Sequence, residues 1–249
     1  MATTWFYTIL SVFIVSLVSL VGVLTISISA EKLKKLLLFL VSFAAGALLG
    51  DAFIHLIPES YIENSNASLI PFFILLGIIL FFILEKILFW RHCHIPTSQQ
   101  HPHPLAVNNI VGDGFHNFID GMIIAGSYMV SLPLGLATTL AVVMHEIPQE
   151  IGDFGILLFA GWTKRKAIFY NFLSALVAMA GAVLTLLIGS SISHLQDYLI
   201  PFTIGGFIYI ATADLIPELK KETDLHKSAF QLAALLFGIG VMALFLLWE

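Results

Sequence analysis

The sequence predicts an all-α, polytopic membrane protein with eight transmembrane helices. Three observations carry that prediction. The chain is 59% hydrophobic and only 11% charged, with a mean hydropathy of +0.97. Its apolar runs reach about 20 residues, enough to cross a hydrocarbon core of about 30 Å, and they lack strand-like alternation. Its eleven Lys and Arg residues occupy alternate gaps between those runs, with Lys86 alone just inside the end of the third run beside such a gap.

The first run, 6–28, has no basic stretch before it and exceeds the apolar core of a cleavable leader, so it reads as a span. Lys32, Lys34 and Lys35 separate it from the second, 36–58. The third, 70–90, closes on Lys86 and Arg91, and the fourth covers 105–129. The fifth, 133–160, leads into Lys164, Arg165 and Lys166 and then the sixth, 167–189. The seventh, 199–219, precedes Lys220, Lys221 and Lys227, and the eighth covers 229–248. By the positive-inside rule the basic gaps are cytoplasmic and both termini lie outside, in a cell membrane (plasma or bacterial inner). No gap is long enough to fold alone, so residues 1–249 form one transmembrane domain.

The longest gap, about 91–104, holds His92, His94, His101 and His103 among Pro, Gln, Thr and Ser. Such a composition suits either a metal-collecting segment or a plain linker. The lone Cys93 excludes an internal disulfide. Asn66-Ala67-Ser68 is a glycosylation triplet of low information. The net charge of -5 arises mainly from acids within or capping the spans, and no basic patch indicates nucleic acid.

A short repeat links the second and seventh spans. Leu56-Ile57-Pro58-Glu59 ends one and Leu215-Ile216-Pro217-Glu218 ends the other, with Asp51 and Asp214 upstream. The charge map runs these two spans in opposite directions. Spans one to three and six to eight then form inverted repeats around the fourth and fifth, a 3+2+3 plan that places a binding site near midplane.

Chemistry concentrates on that central pair. Asp113, His116, Asn117 and Asp120 fall at i, i+3, i+4 and i+7; Glu146, Gln149, Glu150 and Asp153 repeat the spacing, with His145 just ahead. Each set is one stripe down one helix face. Five carboxylates lie between Arg91 and Lys164 with no Lys or Arg among them. An acid at bilayer depth costs roughly 2.5–3.5 kcal/mol, so a bound cation is the simplest source of compensation. The mixed imidazole, carboxylate and amide set of His116, Asn117, Asp120, His145, Glu146 and Gln149 suits Zn²⁺, Fe²⁺ or Mn²⁺ rather than Na⁺ or Ca²⁺. Polar groups that merely tie helices together are the competing explanation, and a stripe of this density argues against it. Asp113, Glu150 and Asp153 fit either an ion path or water-facing helix ends. Asp51 with His55, and Asp214, read equally as relay positions or as structural pairs. Pro148 removes a helix hydrogen bond and frees a carbonyl near Met144, a predicted kink. Gly114, Gly121 and Gly152 allow close helix approach. Glu85 is expected to pair locally with Lys86, and Glu59 and Glu218 to cap span ends.

His116-Asn117-Phe118-Ile119-Asp120-Gly121 and His145-Glu146-Ile147-Pro148-Gln149-Glu150-Ile151-Gly152-Asp153 resemble the paired fourth- and fifth-helix signatures of the ZIP (Zrt/Irt-like) divalent-metal transporters. The nearest likeness is to the subfamily with the long His-Glu-x-Pro-His-Glu motif. Gly50-Asp51-Ala52-Phe53-Ile54-His55-Leu56-Ile57-Pro58-Glu59 resembles its second helix. The resemblance implies a carrier, not an enzyme, often a homodimer in lipid, that takes divalent cations into the cytoplasm: zinc first, with iron, manganese and cadmium in the same class. The metal is then cargo, with no prosthetic group. The resemblance places His116, Asp120, Glu146 and Gln149 at a main site, with Asn117, His145 and shared carboxylates at an adjacent one. Two departures stand out. Gln149 replaces the usual second His, and the sixth helix brings no acid, Ala178 taking that place.

Two rival functions use the same residues. His145-Glu146-x-x-Gln149 is one residue from the His-Glu-x-x-His pattern of zinc metalloproteases, where the Glu is general base. A metal exporter would use the same ligands in the opposite direction.

Overall fold

The structure is a computed structural model that describes residues 2–25, 29–63, 67–90, 105–189 and 195–247. Among them every regular element is helical. In chain order these are α1 (Ala2–Val18), α2 (Val21–Thr25), α3 (Ala30–Gly50), a π-helical turn (Asp51–Leu56), α4 (Ile57–Glu63), α5 (Ile70–Trp90) after a 3₁₀ turn (Ala67–Leu69), α6 (Leu105–Val130) and α7 (Leu132–Phe159). Then follow α8 (Lys164–Ala175), α9 (Val177–Gly189), α10 (Gln196–Tyr209), a second π-helical turn (Ile210–Leu215), α11 (Ile216–Leu219) and α12 (Leu225–Phe245). The histidines and Cys93 of the 91–104 segment, and Asn66, lie outside the described residues.

Six stretches among the described residues are long and apolar enough to cross a membrane: Ala2–Val23, Glu31–Ile62, Ala67–Lys86, Lys164–Gly189, Gln196–Leu219 and Leu225–Phe245. The remaining two of the eight predicted spans are α6 and α7. At 26 and 28 residues they are long, about 39 and 42 Å at 1.5 Å per residue. Their polar stripe is what lowers their hydropathy. These two helices are also central: Ile119, Ile123 and Ile124 of α6 and Leu134, Ala137, Ala141 and Val142 of α7 belong to the main core. The outer helices instead turn Phe6, Phe72, Leu75, Ile79, Leu236 and Phe237 outward. An apolar outside around a polar centre is the arrangement expected where the solvent is lipid.

Helix boundaries follow local chemistry. Ser131 caps α7 by accepting from Leu134 N–H at 3.2 Å, with Pro133 in the first turn. Thr163 caps α8 and Asp224 caps α12 in the same manner. Gly161, at φ 85°, supplies the left-handed residue that the tight turn between α7 and α8 requires. Pro148 lies inside α7, which continues as helix on both sides of it.

Each Leu-Ile-Pro-Glu segment begins on the last residue of a π-helical turn, and the closing bond joins residues five apart: Ile57 N–H to Ala52 C=O, and Ile216 N–H to Ala211 C=O. Proline explains this. Pro58 and Pro217 cannot donate, and their rings press on the carbonyl four residues back, so an extra residue in the turn relieves both defects. The packing partners repeat too. A Cβ on Gly46 would strike the Leu235 carbonyl and one on Gly238 the Phe43 carbonyl, which brings α3 backbone to backbone with α12. Gly205 meets the Ile74 carbonyl and Gly77 the Phe202 carbonyl in the same way, which joins α10 to α5. A third such crossing joins α6 to α9, with Gly121 on the Ala178 carbonyl and Gly181 on that of Phe118.

The expectation for glycines holds at Gly121 only. Nothing lies within 4 Å of a Cβ at Gly152, and a Cβ at Gly114 would make only ordinary contact. Gly152 borders a cavity instead of a neighbouring helix.

Candidate metal centre

The stripes of α6 and α7 face each other, and their side chains separate into two groups. In the first, His116, Asp120, His145 and Glu146 bring one ligand atom each within 4.8 Å of the others. His116 Nε2 lies 3.2 Å from His145 Nε2, 3.4 Å from Glu146 Oε1 and 3.7 Å from Asp120 Oδ2. His145 Nε2 lies 3.2 Å from Asp120 Oδ2 and 3.7 Å from Glu146 Oε1. Bond lengths of about 2.0–2.2 Å to zinc give a tetrahedron with edges of about 3.3–3.6 Å. The four atoms therefore have the spacing of a tetrahedral ligand set.

The protonation of His145 is set by its own helix. Its Nδ1 lies 3.1 Å from the Ala141 carbonyl, an acceptor, so the proton sits on Nδ1 and the Nε2 lone pair faces the centre. Asp120, His145 and Glu146 are almost completely buried, and His116 is 17% exposed at the edge of a cavity. Both Asp120 oxygens and Glu146 Oε1 are buried and accept no hydrogen bond. Buried acceptors converging without donors are costly alone and favourable around a cation.

The second group is Asp113, Glu150 and Asp153, whose carboxylate atoms also come within 4.8 Å of one another. Asp113 and Glu150 are buried, and Asp153 reaches the cavity. Asn117 belongs with this second group. Its Nδ2 donates to Asp113 Oδ1 at 2.9 Å and to the Asp113 carbonyl at 3.1 Å, and its own Oδ1 is buried without a partner. Gln149 lines the cavity and its amide faces Asp113, so this side chain belongs with the second group as placed.

One cavity of about 680 Å³ touches both groups. Its lining includes His116, His145, Gln149, Asp113 and Asp153, and also Glu85, Asp214 and the exposed Glu218. Glu218 pairs with Lys221, so the cavity opens on the side of the basic loops. One turn further from those loops, Ile123 and Val142 belong to the closed core.

Among the remaining sequence candidates, Asp51 and His55 make their contacts elsewhere, and Asp214 shares the cavity. Asp51 Oδ2 accepts from Thr138 Oγ1 at 2.9 Å, and His55 Nε2 lies 2.8 Å from the Met242 carbonyl. Asp214 lines the cavity mouth. Glu85 does not pair with Lys86: it accepts from the Tyr209 hydroxyl, while Lys86 lies over the Phe82 ring.

The profile of the family described as "ZIP Zinc transporter" matches residues 2–108 and 96–246. The chain belongs to the ZIP zinc transporter family. This is a family of multi-pass membrane transporters, not enzymes. Among similar proteins, "Zinc transporter ZIP13" of Pongo abelii is 36% identical over 223 residues, 84% of this chain and 66% of that protein. "Zinc transporter ZIP13 homolog" of Drosophila melanogaster is 30% identical, with 97% of this chain and 88% of that protein covered. "Zinc transporter YKE4" of Saccharomyces cerevisiae is 33% identical, with 82% and 69% covered. This ZIP-family chain thus spans about two thirds of the length of some of these relatives and most of others.

Sequence reasoning missed two residues of the site. Ser174 Oγ donates to Asp113 Oδ2 at 2.5 Å, and Asn171 Nδ2 donates to Glu150 Oε2. Both sit on α8, three residues apart and so on one face. That spacing is the signal the sequence offers.

Proposed function

We propose that this ZIP-family chain carries divalent transition-metal cations, zinc first and iron, manganese or cadmium in the same class, across a membrane into the cytoplasm. One observation carries the proposal: four ligand atoms at tetrahedral spacing, those of Asp120, His145 and Glu146 buried and that of His116 half-buried, beside a cavity that reaches His116 and His145. Two imidazoles and two carboxylates replace the water that an ion must shed to enter. The two negative charges offset those of the ion in surroundings where water cannot. Asn117 and Gln149 both engage Asp113, and with Asp113, Glu150, Asp153 and the cavity-lining Asp214 they are read as the ion's path beside this centre. Asp51 and His55 lie on the opposite side, where they hold the π turn against α7 and α12.

The arrangement is read as eight spans in a 3+2+3 plan within one domain, 1–249. The paired π turns and the matching α3–α12 and α10–α5 crossings support inverted repeats around α6 and α7. The alternating basic gaps support both termini outside and a cavity that faces the cytoplasm. A homodimer in the cell membrane follows from the family resemblance alone.

The geometry disfavours the protease reading. A hydrolytic zinc keeps an open position for water, with a Glu beside it as base. Here Glu146 Oε1 occupies a vertex of the ligand set itself. Export rather than import would use the same centre, so direction needs its own measurement. Purified protein in sealed vesicles, loaded by turns inside or outside with Zn²⁺, Fe²⁺, Mn²⁺ or Cd²⁺, tests the whole proposal. Zinc movement toward the face carrying the basic loops is the expected result. No protein-dependent flux of any of the four ions would overturn it.

A further inference from the structure

We propose that Asp113, Glu150 and Asp153 form a second divalent-cation site, made of oxygen donors only, on the basic-loop side of the four-ligand centre. The inference rests on the transport reading above and names a separate resting place for the ion.

Three observations carry it. The first is charge. Three carboxylates approach within 4.8 Å of one another, and among the described residues none of them pairs with Lys, Arg or His. The second is preparation of the ligands. Asp113 is held at both oxygens, by Ser174 Oγ and Asn117 Nδ2, and Glu150 is held at Oε2 by Asn171 Nδ2. Outer hydrogen bonds of this kind fix metal-binding carboxylates in place. The third is unfilled acceptor capacity. Glu150 Oε1 is buried without a hydrogen bond, in a side chain only 1% exposed, and Asn171 Oδ1 is likewise buried and unpartnered. A proton on one carboxylate would give a donor to one acceptor; a divalent cation satisfies all of them at once.

The site is built where backbone is irregular. The run 6–28 breaks between α1 and α2, and the run 167–189 breaks between α8 and α9. Ser16 Oγ donates to the Ala175 carbonyl at 2.9 Å and Asn171 Nδ2 approaches the Ser19 carbonyl at 3.4 Å, so the two breaks meet beside the three acids. Departures from regular helix at membrane depth are tolerated where they line a polar cavity.

The donor types separate the two sites. Imidazole with carboxylate favours zinc, whereas carboxylate with amide and hydroxyl oxygen suits Mn²⁺, Ca²⁺ or Mg²⁺ and holds zinc less tightly. An ion leaving the tetrahedral centre therefore meets a weaker site on its way out, the condition for release as well as capture.

The test uses the full chain in detergent and Mn²⁺ as the probe, followed by its electron paramagnetic resonance. Replacing both imidazoles, His116→Ala with His145→Ala, removes the nitrogen donors and should abolish tight zinc binding while one Mn²⁺ per chain still binds. Adding Glu150→Gln should weaken that Mn²⁺ at least tenfold. Adding Asp153→Asn, at a cavity-lining position less able to disturb folding, should do the same. Helical circular dichroism identifies variants that have not folded. Zinc binding to the unaltered chain tests the four-ligand centre separately. Absence of Mn²⁺ binding to the folded imidazole-free protein, or Mn²⁺ binding indifferent to both carboxylate changes, would overturn the second site while leaving the first intact.

Discussion

Glu146→Gln isolates the charge of one ligand from its shape. The amide is nearly isosteric and keeps one oxygen at the vertex, but it removes a negative charge that no donor offsets, since Glu146 Oε1 accepts no hydrogen bond. Loss of an outer-shell partner alone typically weakens metal binding about 10–100-fold. A direct ligand should cost at least the upper figure, about 2.7 kcal/mol. Zinc at a hundred times its dissociation constant stabilises the unaltered protein by about 2.7 kcal/mol; with a hundredfold weaker site the same zinc gives only about 0.4 kcal/mol. Thermal unfolding in detergent with and without zinc reads this directly. The zinc-dependent rise in Tm should nearly vanish in the variant, while its Tm without zinc should equal or exceed that of the unaltered chain, because a buried acid has been neutralised. An undiminished zinc-induced shift in Glu146→Gln would refute the assignment of this carboxylate to the centre.

Three further expectations follow from other parts of the molecule. Gln149→His places an imidazole on the cavity wall between the two groups and should shift competition uptake toward Zn²⁺ over Mn²⁺, without necessarily raising the rate; unchanged selectivity and half-saturation would place position 149 off the ion's route. Replacing His92, His94, His101 and His103 by Ser should leave the rate at saturating metal intact, and complete loss of uptake by inserted protein would make that segment part of the path. Gly121→Leu should prevent the α6–α9 crossing and cost folded protein, since even its Cβ would strike the Ala178 carbonyl, whereas Gly114→Ala should be tolerated; equal yields of the two in a detergent-extraction assay would contradict the packing.

Much of this was legible in the sequence because membranes impose simple rules. Uncompensated acids stand out against apolar runs, and the spacing of His116 with Asp120 and of His145 with Glu146 and Gln149 already put candidate ligands on two stripes, of which the structure gathers all but Gln149 into one group. The charge map and the Leu-Ile-Pro-Glu repeat suggested an inverted plan. What stayed hidden depends on contacts between distant helices. Gln149 shares a stripe with His145, yet the facing residue that its amide meets is Asp113. Asn171 and Ser174 look like ordinary polar residues until Glu150 and Asp113 are seen beside them. Tyr209 engages Glu85 across 124 positions of chain, a pairing that no local pattern announces. Gly121, Gly114 and Gly152 are indistinguishable as letters, and only the neighbouring backbone separates them. The widened turns ahead of Pro58 and Pro217 were likewise not announced by the Leu-Ile-Pro-Glu repeat itself.

The most direct test of the account is zinc uptake into sealed vesicles by Asp120→Ala and Glu146→Ala beside the unaltered chain, at equal amounts of inserted protein. These two residues supply the anionic half of the four-ligand centre. The account predicts that uptake nearly disappears in both while membrane insertion is unaffected. Normal uptake by both would show that the ion crosses without this centre.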